Sequence, residues 1–203
     1  MARDSTDALP AAPGKGTRKE ALAGLAIEML QSRGFSALGL RELAEAAGMR
    51  PPSLYSHFHS KDELGRAALA LYAERHRAGL AALADSATGA GRIRTYAMRC
   101  GQCLQEEGQF CLFLMLTTSS HELSPEAVRE IAGFVEEQME WLATGWDQGR
   151  TEGSIRSDQP GSVMGPVVFG ALRGLMAFAV LKPDPVAAFS AQRDSLLAAL
   201  GVT

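Results

Sequence analysis

Two stretches of the chain hold the residue types that could do chemistry. Between Leu40 and Lys61 it reads LRELAEAAGMRPPSLYSHFHSK, with Arg50, Ser53, Tyr55, His57 and Lys61 all hydrogen-bond donors. Tyr55, His57 and Lys61 are types that hold phosphate oxygens, which fixes register on a nucleic acid without reading its sequence. Arg50-Pro-Pro-Ser53 is the part that would reach base edges, because the prolines pre-set the backbone and a small Ser53 permits close approach. The second stretch holds the three cysteines, Cys100, Cys103 and Cys111. A Cys-x-x-Cys pair can act as a redox or electrophile sensor, yet a reactive thiolate needs a cation or exposure, and Arg99 is the nearest cation in sequence. Zinc would need a fourth ligand, for which only His121 is close, so buried inert thiols are the plainer expectation and no metal is expected. The four histidines (His57, His59, His76 and His121) show no ligand spacing. Phosphate-binding glycine loops, His-Glu-x-x-His and Gly-x-Ser-x-Gly are all lacking, so neither an enzyme nor a cofactor is expected.

The elements that would position these residues are all helical. Thr17-Arg-Lys-Glu20 has the capping-box form and opens a helix that runs to Gly34. Leu40 to Ala47 is a second, short helix, stopped by Gly48, and Pro51 to His57 is a third. Two short helices joined by a tight turn have the anatomy of a helix-turn-helix, whose second helix enters the major groove. Ser60-Lys-Asp-Glu63 reads as another capping box, opening a long helix to Leu83. Further helices are expected from Arg92 to Glu106, from Phe110 to Ser119, from Ser124 to Glu152, from about 160 to Leu181, and from Asp184 to Gly201. Residues 1–16 carry no periodic apolar pattern and read as a disordered tail.

Composition narrows the classes. At 203 residues, 46% hydrophobic and 21% charged, the chain has a globular composition, and no 18-residue apolar run lacks a polar break, so neither a membrane span nor a membrane partner is expected. The start has no signal-like apolar core, and with three cysteines this points to the cytoplasm. The net charge of −3 hides an asymmetry: residues 1–84 carry 11 Lys and Arg against 9 Asp and Glu, leaving the acidic excess to residues 85–203. A slightly basic N-terminal part on an acidic body is compatible with a polyanion partner for that part alone.

Leu43-Ala-Glu-Ala-Ala-Gly48, then Leu54-Tyr-Ser-His-Phe58, then Lys61-Asp-Glu-Leu64, with Gly34-Phe35 upstream, resemble the DNA-binding domain of the tetracycline-repressor (TetR) family of bacterial transcriptional regulators. The resemblance covers residues 17–64. It implies that Tyr55 and Lys61 hold phosphates, that Arg41 reaches a base or the backbone, and that Pro52 and Ser53 sit where bases are touched. Where the family commonly caps its second and third helices with Ser or Thr, this chain has Gly39 and Arg50, which leaves Arg50 for DNA contact. The resemblance further implies a C-terminal helical domain, 85–203, that binds a small effector and forms a homodimer through helices near 162–181 and 185–200.

Gly165, Gly170, Ala171, Gly174 and Ala177, set among apolar residues, support such a dimer independently, because small residues let helices approach closely. Tyr96, Met98, Phe110, Phe113, Met115, Phe134 and Trp141 are the candidate effector-pocket lining, since small ligands are held in mostly apolar concave sites. The expectation is therefore an all-α protein: a three-helix helix-turn-helix domain (17–64), the connecting helix 61–83, and an effector-binding and dimerisation domain. Its function would be a transcriptional repressor released from a palindromic double-stranded operator by a small apolar effector. Two alternatives are a thiol-based redox or electrophile sensor, and a helical ligand carrier or enzyme that binds no DNA.

Overall fold

Thr17 opens the first helix by its side chain. Its Oγ1 accepts from the Glu20 amide (3.2 Å) while the Glu20 carboxylate accepts from the Thr17 amide (2.8 Å), closing the expected capping box. The computed structural model describes residues 17–84, 88–105 and 111–202. Among these residues the chain forms nine α-helices: α1 (Arg18–Arg33), α2 (Leu40–Ala46), α3 (Pro51–Tyr55), α4 (Lys61–Ala84), α5 (Gly89–Gln102), α6 (Leu112–Thr118), α7 (Pro125–Glu152), α8 (Gly161–Ala179) and α9 (Pro185–Ala199). Short 3-10 turns follow α5 and α6, and a single β-bridge joins Ile155 to Val202. The fold is all-α, with an N-terminal helix-turn-helix and a C-terminal helical bundle. The expected tail at 1–16, Phe110 and the end of the expected helix at Glu106 lie outside the described residues.

Several boundaries differ from the sequence expectation for identifiable reasons. α3 stops at Tyr55, two residues short of His57, as the chain turns to bury Phe58. α5 starts three residues early because Thr88 Oγ1 accepts from the Gly91 amide, an N-cap that precedes any apolar residue. The second capping box is only half formed. Ser60 Oγ accepts from the Glu63 amide (3.0 Å), but the Glu63 carboxylate accepts from His59 rather than Ser60 and pairs with Lys19 of α1 (3.2 Å).

α1, α2, α3 and the first turns of α4 surround Leu30, Phe35, Leu43, Leu54, Phe58 and Leu64, all buried. α4 is one unbroken helix of 24 residues, about 36 Å long at 1.5 Å per residue. It joins this cluster to the bundle, where Arg66 pairs with Glu130 and Arg77 with Glu137 of α7. Two side chains at the other end lock the parts together: Ser36 Oγ donates to Glu122 (2.6 Å), and the Ser124 amide donates to Asp62 (3.3 Å).

In the bundle α7 packs along α8 and α5, around the fully buried Trp146, whose Nε1 donates to the Gln159 carbonyl (3.0 Å). Backbones approach closely where glycines meet: a Cβ at Gly89 would strike the α7 backbone at Gly145 and Gly149, and one at Gly165 would strike the Met139 carbonyl. α8 is long and apolar enough to cross a membrane by length and composition, although Ser162 and Arg173 interrupt its apolar run, and its buried third faces the bundle.

Candidate DNA-reading face and interior cavity

The turn between α2 and α3 is set by Gly48. Its amide donates to the Glu45 carbonyl (3.1 Å) and the Met49 amide donates to the Ala44 carbonyl (2.8 Å), the two bonds of a Schellman motif, with Gly48 at φ 62°. This fixes α3 against α2 through Leu43, Ala44 and Leu54, all fully buried. The opposite face of α3 is left to solvent. Arg50, Pro52, Ser53 and Tyr55 are exposed there, Tyr55 by 50% although it is a large aromatic ring. Arg50 is the helix N-cap by backbone conformation but gives no side-chain cap, and its guanidinium makes no hydrogen bond among the described residues.

The other expected contacts are placed differently. Arg41 projects from α2 into solvent and pairs with Glu45 (3.3 Å). His57 is half-buried just past α3. Lys61 is engaged within the protein: its Nζ donates to the Ser36 carbonyl (3.1 Å) and lies 4.4 Å over the Phe35 ring. The bond spends one of its three N–H groups and holds the amine at the α1–α2 turn, beside the free end of α4.

The residues expected to line an effector pocket are spread over core and surface. Tyr96, Phe113 and Phe134 are core, with Phe113 and Phe134 stacked at 3.7 Å and Tyr96 5.9 Å from Trp141. Met98 is 49% exposed on the outer side of α5, because its spacing from Tyr96 and Ala97 turns it away from the core. Met115 is half-buried against Gly34. None of these borders the interior cavity, and Phe110 lies outside the described residues.

The cavity, about 250 Å³, lies between α1, α4, α5 and α8. Ile27 and Gln31 come to it from α1, and Tyr72, Arg75 and His76 from α4. Arg99, Cys100 and Gln102 enter from α5, Cys111 from the start of α6, and Arg173 and Met176 from α8. Its walls are therefore cationic and polar as well as apolar.

Arg173 is the central group. One Nη donates to Tyr96 Oη (3.1 Å), the other to Cys100 Sγ (2.9 Å) and Met176 Sδ (3.7 Å), while Nε is buried without a partner. Its guanidinium stacks 4.8 Å over the Phe169 ring. His76 Nε2 donates one hydrogen bond to Gln138 Oε1 (2.7 Å), and burial, aided by the Arg173 and Arg99 charges, pushes its pKa down to about 4. The ring is neutral at pH 7. Burial likewise pushes the Cys100 thiol up, with Arg173 opposing.

Sequence reasoning missed Arg173, and one signal could have found it. It is the lone charge in the apolar run from Val163 to Leu181, where a cation has to be either surface-directed or held by a site. It also missed that the cation nearest Cys100 comes from 73 residues away, since only Arg99 is adjacent in the chain. Cys111 does line the cavity with Cys100, whereas the Cys103 side chain is outside the described set.

Comparison with known proteins agrees with this geometry. The family model described as bacterial regulatory proteins, tetR family, matches residues 24–68, which is α1 from Gly24 to the second turn of α4. The HTH-type transcriptional repressor ComR of Escherichia coli K12 is 35% identical over 80 residues; the match spans 38% of this chain and only 38% of that protein. Across nearly the whole chain, a TetR-family transcriptional regulator from Agrobacterium tumefaciens superposes with a TM-score of 0.83 at 20% identity, covering 90% of this chain and 97% of the other. A TetR regulator from Legionella pneumophila gives 0.76 at 18% identity, over 90% and 98%. The long structural matches carry the fold, and the family-model match falls on the helix-turn-helix. Residues 24–68 thus match the pattern of the tetR family of bacterial regulatory proteins, and the chain shares its fold with solved TetR-family regulators.

Proposed function

We propose that this protein is a homodimeric, effector-responsive DNA-binding regulator, acting as a repressor. The observation that carries the reading is α3: a short helix fixed from behind by Leu54 and the Gly48 turn, with Arg50, Pro52, Ser53 and Tyr55 all presented outward. Among the described residues no hydrogen bond or ion pair uses these side chains, and a donor-rich helix face of this size matches a major groove. In this reading Tyr55, His57 and Lys61 hold phosphates, while Ser53, Pro52, Arg50 and Arg41 meet bases or flanking backbone.

The dimer forms through α8 and α9. Val163, Val167, Phe178 and Leu181 are exposed along one side of α8 and its end, Phe178 by 64% and Leu181 by 76%. Gly170 and Gly174 lie between them with open space where a Cβ would go, so a second copy can approach closely there. Exposed apolar stripes of this kind mark interaction surfaces.

The effector acts from the cavity. Ile27 and Gln31 belong to the helix that backs the reading unit, and Tyr72, Arg75 and His76 to the helix that carries it. A ligand binding better to one arrangement of α1 and α4 shifts the population towards it and changes the spacing of the two reading helices.

Tyr55→Ala tests the reading most cleanly, because the ring is exposed. Operator affinity should fall for every sequence by about tenfold, while Ser53→Ala should change which duplex is preferred. Unchanged binding in both, with intact circular dichroism, contradicts it. One observation favours thiol sensing as a second reading, namely the Arg173–Cys100 contact at 2.9 Å. Loss of DNA on mild oxidation by wild type, but not by a Cys100→Ser, Cys103→Ser, Cys111→Ser variant, would establish it.

A further inference from the structure

The cavity holds an imbalance of charge. Arg75, Arg99 and Arg173 line it, and among the described residues no Asp or Glu does. None of the three forms an ion pair among the described residues, although eight other ion pairs do form there. Both interior guanidiniums keep a buried Nε without an acceptor. A buried arginine is ordinarily paired with a carboxylate, because an uncompensated charge costs several kcal/mol of desolvation. Cys100 does not supply the missing charge, since burial keeps its thiol protonated at neutral pH. Tyr96 is a neutral phenol for the same reason, and neutral His76 adds no charge of either sign.

The two arginines are held in place. Arg173 is fixed by Tyr96, Cys100 and the Phe169 ring, and the Arg99 guanidinium lies against Gly79, where any side chain would collide with it. Opposite them, Ile27, Tyr72 and Met176 provide an apolar wall. The site is thus a fixed cationic pole facing a greasy one.

We propose that the effector is an organic monoanion, a small carboxylic acid whose carboxylate bridges the Arg173 and Arg99 guanidiniums and whose apolar body lies against Ile27, Tyr72 and Met176. This rests on the regulatory reading of the cavity and replaces a purely apolar ligand with an amphipathic anion. A planar carboxylate takes two N–H donors from an arginine, and both guanidiniums line the cavity. The cavity volume suits an acid the size of benzoate or hexanoate rather than a drug-sized ligand.

The test uses the full chain and paired probes of equal shape: benzoate with benzamide, and hexanoate with hexanamide. At about 10 mM, each acid should raise Tm by about 3 °C and each amide should not. Arg173→Met should abolish the acid–amide difference, and Arg99→Met should weaken it about tenfold. The Arg99 variant keeps the test decisive if the Arg173 variant fails to fold. Equal shifts by acids and amides, no shift by either acid, or an undiminished acid response in a folded Arg99→Met or Arg173→Met protein overturns the proposal. Operator binding is measured on the same samples. Acid binding without DNA binding removes the regulatory reading and leaves the anion site, whereas DNA binding without an acid–amide difference removes the anion site alone.

Discussion

Gly48 has nothing within 4 Å of where a Cβ would stand, yet it should tolerate no side chain cheaply, because its φ is 62°. Gly48→Ala should cost about 1–2 kcal/mol of unfolding free energy in urea titrations, all of it backbone strain. His76 gives a second residue-level expectation. Its folded pKa of about 4 lies below the ordinary 6.5, so the unfolded chain takes up the proton first as pH falls. The contribution is full above pH 6.5 and is lost as pH falls towards 4. Stability at about pH 5 should be about 2 kcal/mol below that at neutral pH, and the His76→Gln variant should lose much of that difference. An identical pH profile in the variant would show that the ring already titrates normally. Residues of this kind divide by how local their cause is. Gly48 was legible as a turn because the chain neighbours dictate it, whereas the neutrality of His76 and the charge beside Cys100 depend on groups contributed from α5, α7 and α8.

At the scale of helices, caps and apolar spacing carried most of the reading. Ser124 and Asp184 cap α7 and α9 as expected, accepting from Ala127 (3.2 Å) and Ala187 (2.9 Å). What spacing could not tell is which face of α8 meets its own chain. Gly165, Gly170 and Gly174 read alike in sequence, but Gly165 is pressed on α7 and the other two face open space. Two substitutions should therefore behave oppositely. Gly165→Ala forces the α7–α8 crossing apart and should cost about 1–3 kcal/mol of stability. Gly174→Arg should leave the fold intact by circular dichroism and give a monomer in light scattering, because a charged side chain cannot sit in a close helix crossing between copies. A stable Gly174→Arg dimer would move the interface elsewhere. The cavity was the least legible element: of the Met and aromatic residues expected at a pocket, Tyr96, Phe113 and Phe134 lie in the core and Met98 at the surface. Burial rewards large apolar side chains wherever they lie, so richness in them marks the core before it marks a cavity.

At the scale of the whole molecule, one continuous helix makes the connection. α4 begins beside α3, ties to α7 through Arg66 and Arg77, and presents Tyr72 and His76 to the cavity. A rigid rod of this kind can turn ligand binding into a displacement of the reading unit without any change in either core. The central claim is that two such units, held by α8 and α9, read a two-fold symmetric duplex. The most direct measurement selects a preferred duplex from a random pool with the purified protein, then titrates it against a scrambled duplex over a range of salt. The account predicts an inverted-repeat site, one dimer per duplex, at least about a thousandfold preference over the scrambled sequence, and affinity that falls steeply with salt. Equal, salt-insensitive or undetectable binding to the two duplexes would contradict it.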